Sequence, residues 1–249
     1  MANIFYGVAG EGSGHASRAR EVINHLESQG HVVKIASYDR GLKDLRTDYD
    51  VVEIFGLNFS HKNNQIQYFP TVLKNLVKLP EASKSINKVL KIFDGFKPDV
   101  VISDFEPISG VVANLRKIPL ISIDNMHIMI KAGIEYPDKY EKEALAAKAI
   151  VRMMLFNAQA YIVTSFFEAK PNNKKTFIFP PILGSDVMRL KPKRGRRILV
   201  YLSSEYEKLF DILKEIRAEF IVYGAMSRAK AGNLIFREPS RKGFLNDLA

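Results

Sequence analysis

The feature that most restricts the fold is a glycine-rich turn set between two periodic segments. Asn3–Val8 is an apolar run of strand length, and Ala16–Ser28 carries the spacing of an amphipathic helix. Gly7-Val8-Ala9-Gly10-Glu11-Gly12-Ser13-Gly14-His15-Ala16-Ser17-Arg18 joins them. A strand that passes through such a turn into a helix opens a βα unit. Glycines there let the backbone approach a ligand, while the first N–H groups of the helix stay unpaired and favour an anion or a polar oxygen.

The pattern repeats along the chain. Further strands are expected at Val32–Ser37, Val51–Phe55, Val100–Ser103, Leu120–Ile123 and Ala160–Val163. Helices are expected near Tyr68–Phe93, Ile108–Arg116 and Lys139–Asn157. Strands alternating with helices read as a doubly wound parallel sheet of Rossmann-like type, residues 1–180. Residues 181–196, with Pro181, Gly184, Pro192 and Gly195, read as a basic linker. The pattern restarts over 197–249: a strand at Arg197–Leu202, a helix at Tyr206–Ile216, strands at Phe220–Tyr223 and Asn233–Phe236, and the first turn of a helix at Phe244-Leu245. That is too little chain for an independent doubly wound sheet, so the second α/β domain is expected to be incomplete.

Composition removes several classes of function. The 249 residues contain no Cys, so there is no disulfide framework, thiol nucleophile or cysteine zinc site. The N-terminus lacks the basic flank and apolar stretch of a signal peptide, and no run approaches the roughly 18 apolar residues of a spanning helix. A cytoplasmic location is expected. The formal net charge is +10, and six of the nine residues from Arg189 to Arg197 are Lys or Arg. No aromatic residues interleave with that cluster to stack on bases, so nucleic acid is not the expected partner.

The loop fails the common nucleotide fingerprints. Gly10-x-Gly12 begins a G-x-G-x-x-G motif and Asp39 follows the second strand, but His15 stands where the third glycine permits close helix–strand packing. No Gly-Lys-Ser/Thr follows, and Ser13 lacks the glycines of a nucleophile elbow. His15 either hydrogen-bonds within the loop or serves a ligand. Position speaks for the ligand, because open α/β sheets bind beyond the carboxyl ends of their strands, where strand order reverses. With an order of 3-2-1-4-5, Asp104 of Ser103-Asp104-Phe105-Glu106 lies beside His15 and can orient the ring and stabilise its protonated form. The other reading of Asp104 is as the N-cap of the helix at Ile108.

More polar groups fall at the same edge. Asn125 and His127 either hold substrate hydroxyls or form a turn, and Ser203-Ser204 repeats the strand-end placement in the second unit. Asp48-Tyr49-Asp50 precedes a strand and reads as turn chemistry, and Asp104-x-Glu106 lacks a third ligand, so no metal site is expected. The Lys-studded apolar segment 66–93 either touches an anionic bilayer or packs as a core-facing helix pair divided at Pro80.

The Gly10–Arg18 loop, Ser103-Asp104-Phe105-Glu106, Ser122-Ile123-Asp124-Asn125 and Arg197-Ile198-Leu199-Val200-Tyr201-Leu202 together resemble the GT-B glycosyltransferases. Within them the chain is most similar to a prokaryotic branch related to the bacterial transferase that adds N-acetylglucosamine to a lipid-linked peptidoglycan precursor. The resemblance implies two facing α/β domains, the N-terminal one for the acceptor and the C-terminal one for a UDP-linked sugar. It implies that Gly12, Ser13, Gly14 and His15 line the cleft, that Asp104 assists His15, and that Glu106, Asn125 and His127 serve the acceptor. Ser203 and Ser204 would face the donor diphosphate. No metal or other cofactor is implied, since the nucleotide-sugar is a substrate.

Members of that family continue into a Gly/Ser segment and a Glu-bearing helix that hold the donor. The resemblance therefore implies a chain cut short in its donor domain, which by itself transfers little sugar. Partners implied are the nucleotide-sugar, a saccharide or lipid-linked acceptor, contact with the inner membrane face through 66–93, and a second copy or a completing chain. Two other functions fit the same residues: a non-catalytic subunit of a split transferase, and a nucleotide-dependent oxidoreductase, which His15 disfavours.

Overall fold

The computed structural model describes residues 1–56, 61–62, 65–66, 78–202, 207–224, 230–238 and 240–249. The chain divides into two compact units, Met1–Leu183 and Gly184–Ala249.

The first unit is built on a seven-stranded sheet. Its strands are β1 (Asn3–Val8), β2 (Val32–Ser37), β3 (Val51–Glu53), β4 (Val100–Asp104), β5 (Leu120–Asp124), β6 (Ala160–Thr164) and β7 (Thr176–Phe179). All neighbours run parallel, in the order β7-β6-β5-β4-β1-β2-β3. Among the described residues six α-helices accompany them: α1 (Ser13–Ser28), α2 (Asp39–Leu45), α3 (Leu79–Phe96), α4 (Pro107–Arg116), the short α5 (Ile128–Lys131) and α6 (Glu141–Met154).

Side chains alternate across a strand, and β1 shows the consequence. Ile4, Tyr6 and Val8 pack with Ala16, Ala19 and Ile23 of α1 and with Leu42 and Leu45 of α2. Phe5 points the other way, into a cluster with Val89 and Phe93 of α3, Val112 of α4 and Val151 of α6. A parallel sheet buried on both faces needs such continuous apolar strands, which is why β1, β2 and β4 are legible without alternation.

Differences from the sequence reading have local causes. Strand β7 is absent from the sequence reading: it is a sheet edge of only four residues, Thr-Phe-Ile-Phe, with Phe177 and Phe179 exposed, although those residue types favour a strand. Helix α3 starts at Leu79 with Pro80 in its first turn, where the missing N–H has no partner to lose. Pro80 thus begins a helix; residues 67–77, the first half of the expected pair, lie outside the described residues. Over the described part, the apolar face with Val89 and Phe93 is buried in the core and Lys84, Lys88 and Lys91 are exposed.

The second unit carries β8 (Arg197–Tyr201), β9 (Glu219–Tyr223) and β10 (Leu234–Arg237) as parallel neighbours, with Lys230–Ala231 antiparallel on the edge. Helix α8 (Glu207–Glu215) lays Phe210 and Leu213 on Phe220, Val222 and Leu234. The segment expected as linker holds a short helix, α7 (Ser185–Met188), whose Asp186 accepts two hydrogen bonds from Arg241 at 2.6 and 2.9 Å. Arg241 begins α9 (Arg241–Leu248), a full helix where only a first turn was expected, capped by Ser240.

Gly7 lets α4 sit against β1. A Cβ there would lie 2.1 Å from Ser109 Oγ and 2.5 Å from Glu106 Oε2, both fixed in the first turn of α4. Gly7→Ala should cost about 1–3 kcal/mol in urea unfolding. Gly14→Ala, with nothing within 4 Å of the new carbon, should leave stability unchanged or raise it by up to about 1 kcal/mol.

Candidate active site

The chain reverses its strand order between β1 and β4, and the polar groups gather there. Register pairs Val8 with Asp104, and the Ala9 N–H donates to the Asp104 carbonyl at 3.0 Å. The end of β4 is thereby locked to the start of the glycine loop. Gly12, at φ 77°, turns the loop into α1. Gly12 has no side chain to cap that helix and no acidic residue sits in its first turn, while residues 11–14 are exposed. The positive end of a 16-residue helix thus lies at the surface.

Asp104 is fully buried and takes three charge-assisted contacts. His15 Nδ1 lies 2.6 Å from Oδ1, Arg18 Nη2 donates to Oδ1 at 2.6 Å, and Arg18 Nε donates to Oδ2 at 2.8 Å. The Asp104 contacts hold the Arg18 guanidinium above its ordinary pKa although burial acts the other way. An ionised carboxylate only accepts, so the shared proton sits on Nδ1. Among the described residues Nε2 makes no hydrogen bond, and the side chain keeps 16% of its surface exposed. The ring lies parallel to Phe105 at 6.5 Å between centroids. Phe105 is itself in the left-handed region, at φ 56°, where the chain leaves β4. A bulky residue there stores backbone strain of about 1–3 kcal/mol, a cost met most often at functional sites.

Two residues expected at the acceptor side are placed elsewhere. Glu106 is buried, and its two carboxylate oxygens accept from the N–H groups of Ile108 at 2.6 Å and Ser109 at 2.8 Å. Glu106, not Asp104, is the N-cap of α4, and it has no oxygen to spare for a substrate. Burial raises its pKa, with the helix hydrogen bonds working against that rise. His127 is also fully buried. Its Nδ1 meets Asp124 Oδ2 at 2.6 Å and its backbone N–H donates to Oδ1 at 2.8 Å, while Ser122 donates to Oδ2 at 2.6 Å. The ring packs between Phe105 and Tyr161, inside the core. Asn125 is exposed after β5, on the same edge as His15. Ser203 and Ser204 lie outside the described residues.

Arg18 has no part in the loop motif itself, yet its spacing marks it: three residues after His15 on a helix, it shares a face with that ring.

The comparisons now bear on this geometry. A family model described as "Glycosyl transferase family 1" matches residues 2–249. The chain belongs to glycosyl transferase family 1. Solved structures with similar folds are glycosyltransferases. The kitacinnamycin glycotransferase is 14% identical, with 100% of this chain and 74% of that chain covered and a TM-score of 0.65. CalG4, the calicheamicin glycosyltransferase, is 12% identical, with 95% and 70% covered and a TM-score of 0.59. MurG of Acinetobacter baumannii is 13% identical, with 96% and 67% covered and a TM-score of 0.51. Among curated proteins none matches. The fold of this family 1 chain is accordingly the GT-B type, and its activity class is glycosyl transfer. No helix among the described residues is long and apolar enough to cross a membrane.

The neighbouring carboxylate gives a pH test of the site's foundation. Burial pushes the Asp124 pKa up, but His127, Ser122 and the backbone N–H outweigh it, leaving it below its ordinary 3.8. A depressed carboxylate stabilises the fold above its ordinary value and loses that contribution as pH falls through the lowered one. Wild type should therefore exceed Asp124→Asn in urea-measured stability near neutrality, with the gap closing as pH drops below 3.8.

Proposed function

We propose that this chain moves a sugar from a nucleotide-sugar to an acceptor hydroxyl, with His15 as general base and Asp104 as the group that orients it. The observation that carries the reading is a sheltered imidazole whose Nδ1 is committed to a buried carboxylate, while Nε2 has no hydrogen-bond partner among the described residues and lies in the first turn of α1. In the reaction the acceptor O–H gives its proton to Nε2 as its oxygen forms a bond to the anomeric carbon. The bond from that carbon to the nucleoside diphosphate breaks, and the diphosphate leaves with the electron pair. Asp104 stabilises the imidazolium formed on the way. Direct displacement of this kind inverts the anomeric carbon.

Gly12, Ser13 and Gly14 are assigned to the acceptor through their N–H groups, and Asn125 to its hydroxyls. Membership of the family supports a nucleoside-diphosphate sugar as donor. A UDP-linked sugar and a saccharide or lipid-linked acceptor are the members of those classes that the sequence resemblance favours. VinC, a relative of similar fold solved in complex with dTDP, makes a dTDP-sugar the first competitor to assay.

The test is sugar transfer by the protein as its source organism makes it, assayed with UDP- and dTDP-sugars against saccharide and polyprenyl-phosphate acceptors. His15→Ala should lower kcat by about 10²–10⁴-fold, the usual worth of a general base, with little change in thermal stability. Undiminished turnover in His15→Ala removes the base from His15, and no transfer from any nucleotide-sugar overturns the reading as a whole.

A further inference from the structure

Arg18 stands closer to the chemistry than a structural ion pair requires. It lies three residues from His15 on α1, is only 14% exposed, and grips Asp104 with Nε and Nη2 of its guanidinium fork. Its Nη2 is also 3.2 Å from His15 Nδ1. With the Nδ1 proton committed to Asp104, that approach is not a hydrogen bond. It is a fixed cation set against the ring.

The charges decide what the ring does. Asp104 alone beside His15 favours the imidazolium, because the carboxylate then has no other cation to neutralise it. An imidazolium carries a proton on Nε2 and cannot act as a base. Arg18 already balances the carboxylate and repels a second positive charge at hydrogen-bond distance, so the neutral ring is favoured. Among the described residues few other groups intervene. From β1, Tyr6 is a neutral phenol kept so by burial and by Asp104. From β5, Asp124 is engaged by His127 and Ser122. Glu11, in the loop, is exposed to solvent.

We propose that Arg18 is a positioning residue for His15: its fork fixes and counterbalances Asp104, so that the imidazole stays neutral, protonated on Nδ1, with Nε2 ready to accept a proton. The proposal rests on His15 being the base of the transferase reaction.

Two measurements separate Arg18's role from that reading. The first uses nitrogen-15 spectra of the free protein, with the His15 signals assigned by their loss in His15→Gln. At pH 7 wild type should show the neutral Nδ1–H ring, and Arg18→Met should show the imidazolium. Arg18→Gln, which retains hydrogen-bonding capacity, replaces it if the Met variant fails to fold. Arg18→Lys, which keeps the charge but not the fork, should retain a mostly neutral ring. The second is the pH–rate profile. In the uncharged variant kcat/KM at pH 7 should fall about tenfold or more, its acid limb should move to higher pH by about 1 unit, and activity should recover above it, with KM little changed. A neutral ring in the uncharged variant, or an equal loss at every pH, overturns the role of Arg18. Failure of His15→Ala to lower turnover overturns the reading beneath it without touching the spectra.

Discussion

A carboxylate with no exposed surface organises this molecule. Asp104 ends a central strand, and a buried charge there is tolerated only when it is fully paired. Removing one partner of such a pair typically costs about 3–5 kcal/mol, because the other is left charged and dry. The chain meets the demand from a single helix, placing His15 and Arg18 on one face of α1. The β1–β4 register then sets where that face falls, since Val8 and Asp104 lie side by side. The glycines are consequences of this arrangement. Gly7 admits the first turn of α4 against β1, and Gly12 turns the chain so that α1 begins at the right level.

Two carboxylates two residues apart meet opposite fates, and the backbone between them is the reason. Phe105, at φ 56°, rotates the chain so that Asp104 faces α1 while Glu106 faces the first turn of α4. Glu106 neutralises a helix N-terminus and is spent in doing so. The equivalent end of α1 has no such cap and remains open. Of the two helix N-termini flanking β1 and β4, one is capped by a carboxylate and the other begins at a glycine with no side chain to cap it. Nothing in Ser103-Asp104-Phe105-Glu106 marks which acid takes which part, because the left-handed turn at a phenylalanine runs against local preference.

That contrast shows what was legible in the sequence. Buried parallel strands are apolar throughout, so β1, β2, β4, β5 and β6 could be read from their runs, and the strand order placed Asp104 beside His15. The short α5 carries no such pattern, and the edge strand β7 has strand-type residues but spans only four of them. Within the site, proximity was legible and orientation was not. Asp124 and His127, at i and i+3 after β5, carry the same residue types as the Asp104–His15 pair and form an equally short contact at 2.6 Å. One ring is sealed between Phe105 and Tyr161; the other rests on the outer side of the same Phe105. Only the packing of one aromatic ring between two histidines tells them apart.

The same packing explains why a histidine can stand where a dinucleotide fold needs glycine. The third glycine of that motif exists to bring helix and strand into close contact around a pyrophosphate. Here His15 instead directs its side chain to β4, where the Asp104 carboxylate and the face of Phe105 receive it. Close approach of α1 to the sheet is taken over by Ala16 and Ala19, both buried, one and four residues further along. The helix thus keeps its packing against the sheet, and the position released from that packing duty carries an imidazole held by a buried carboxylate.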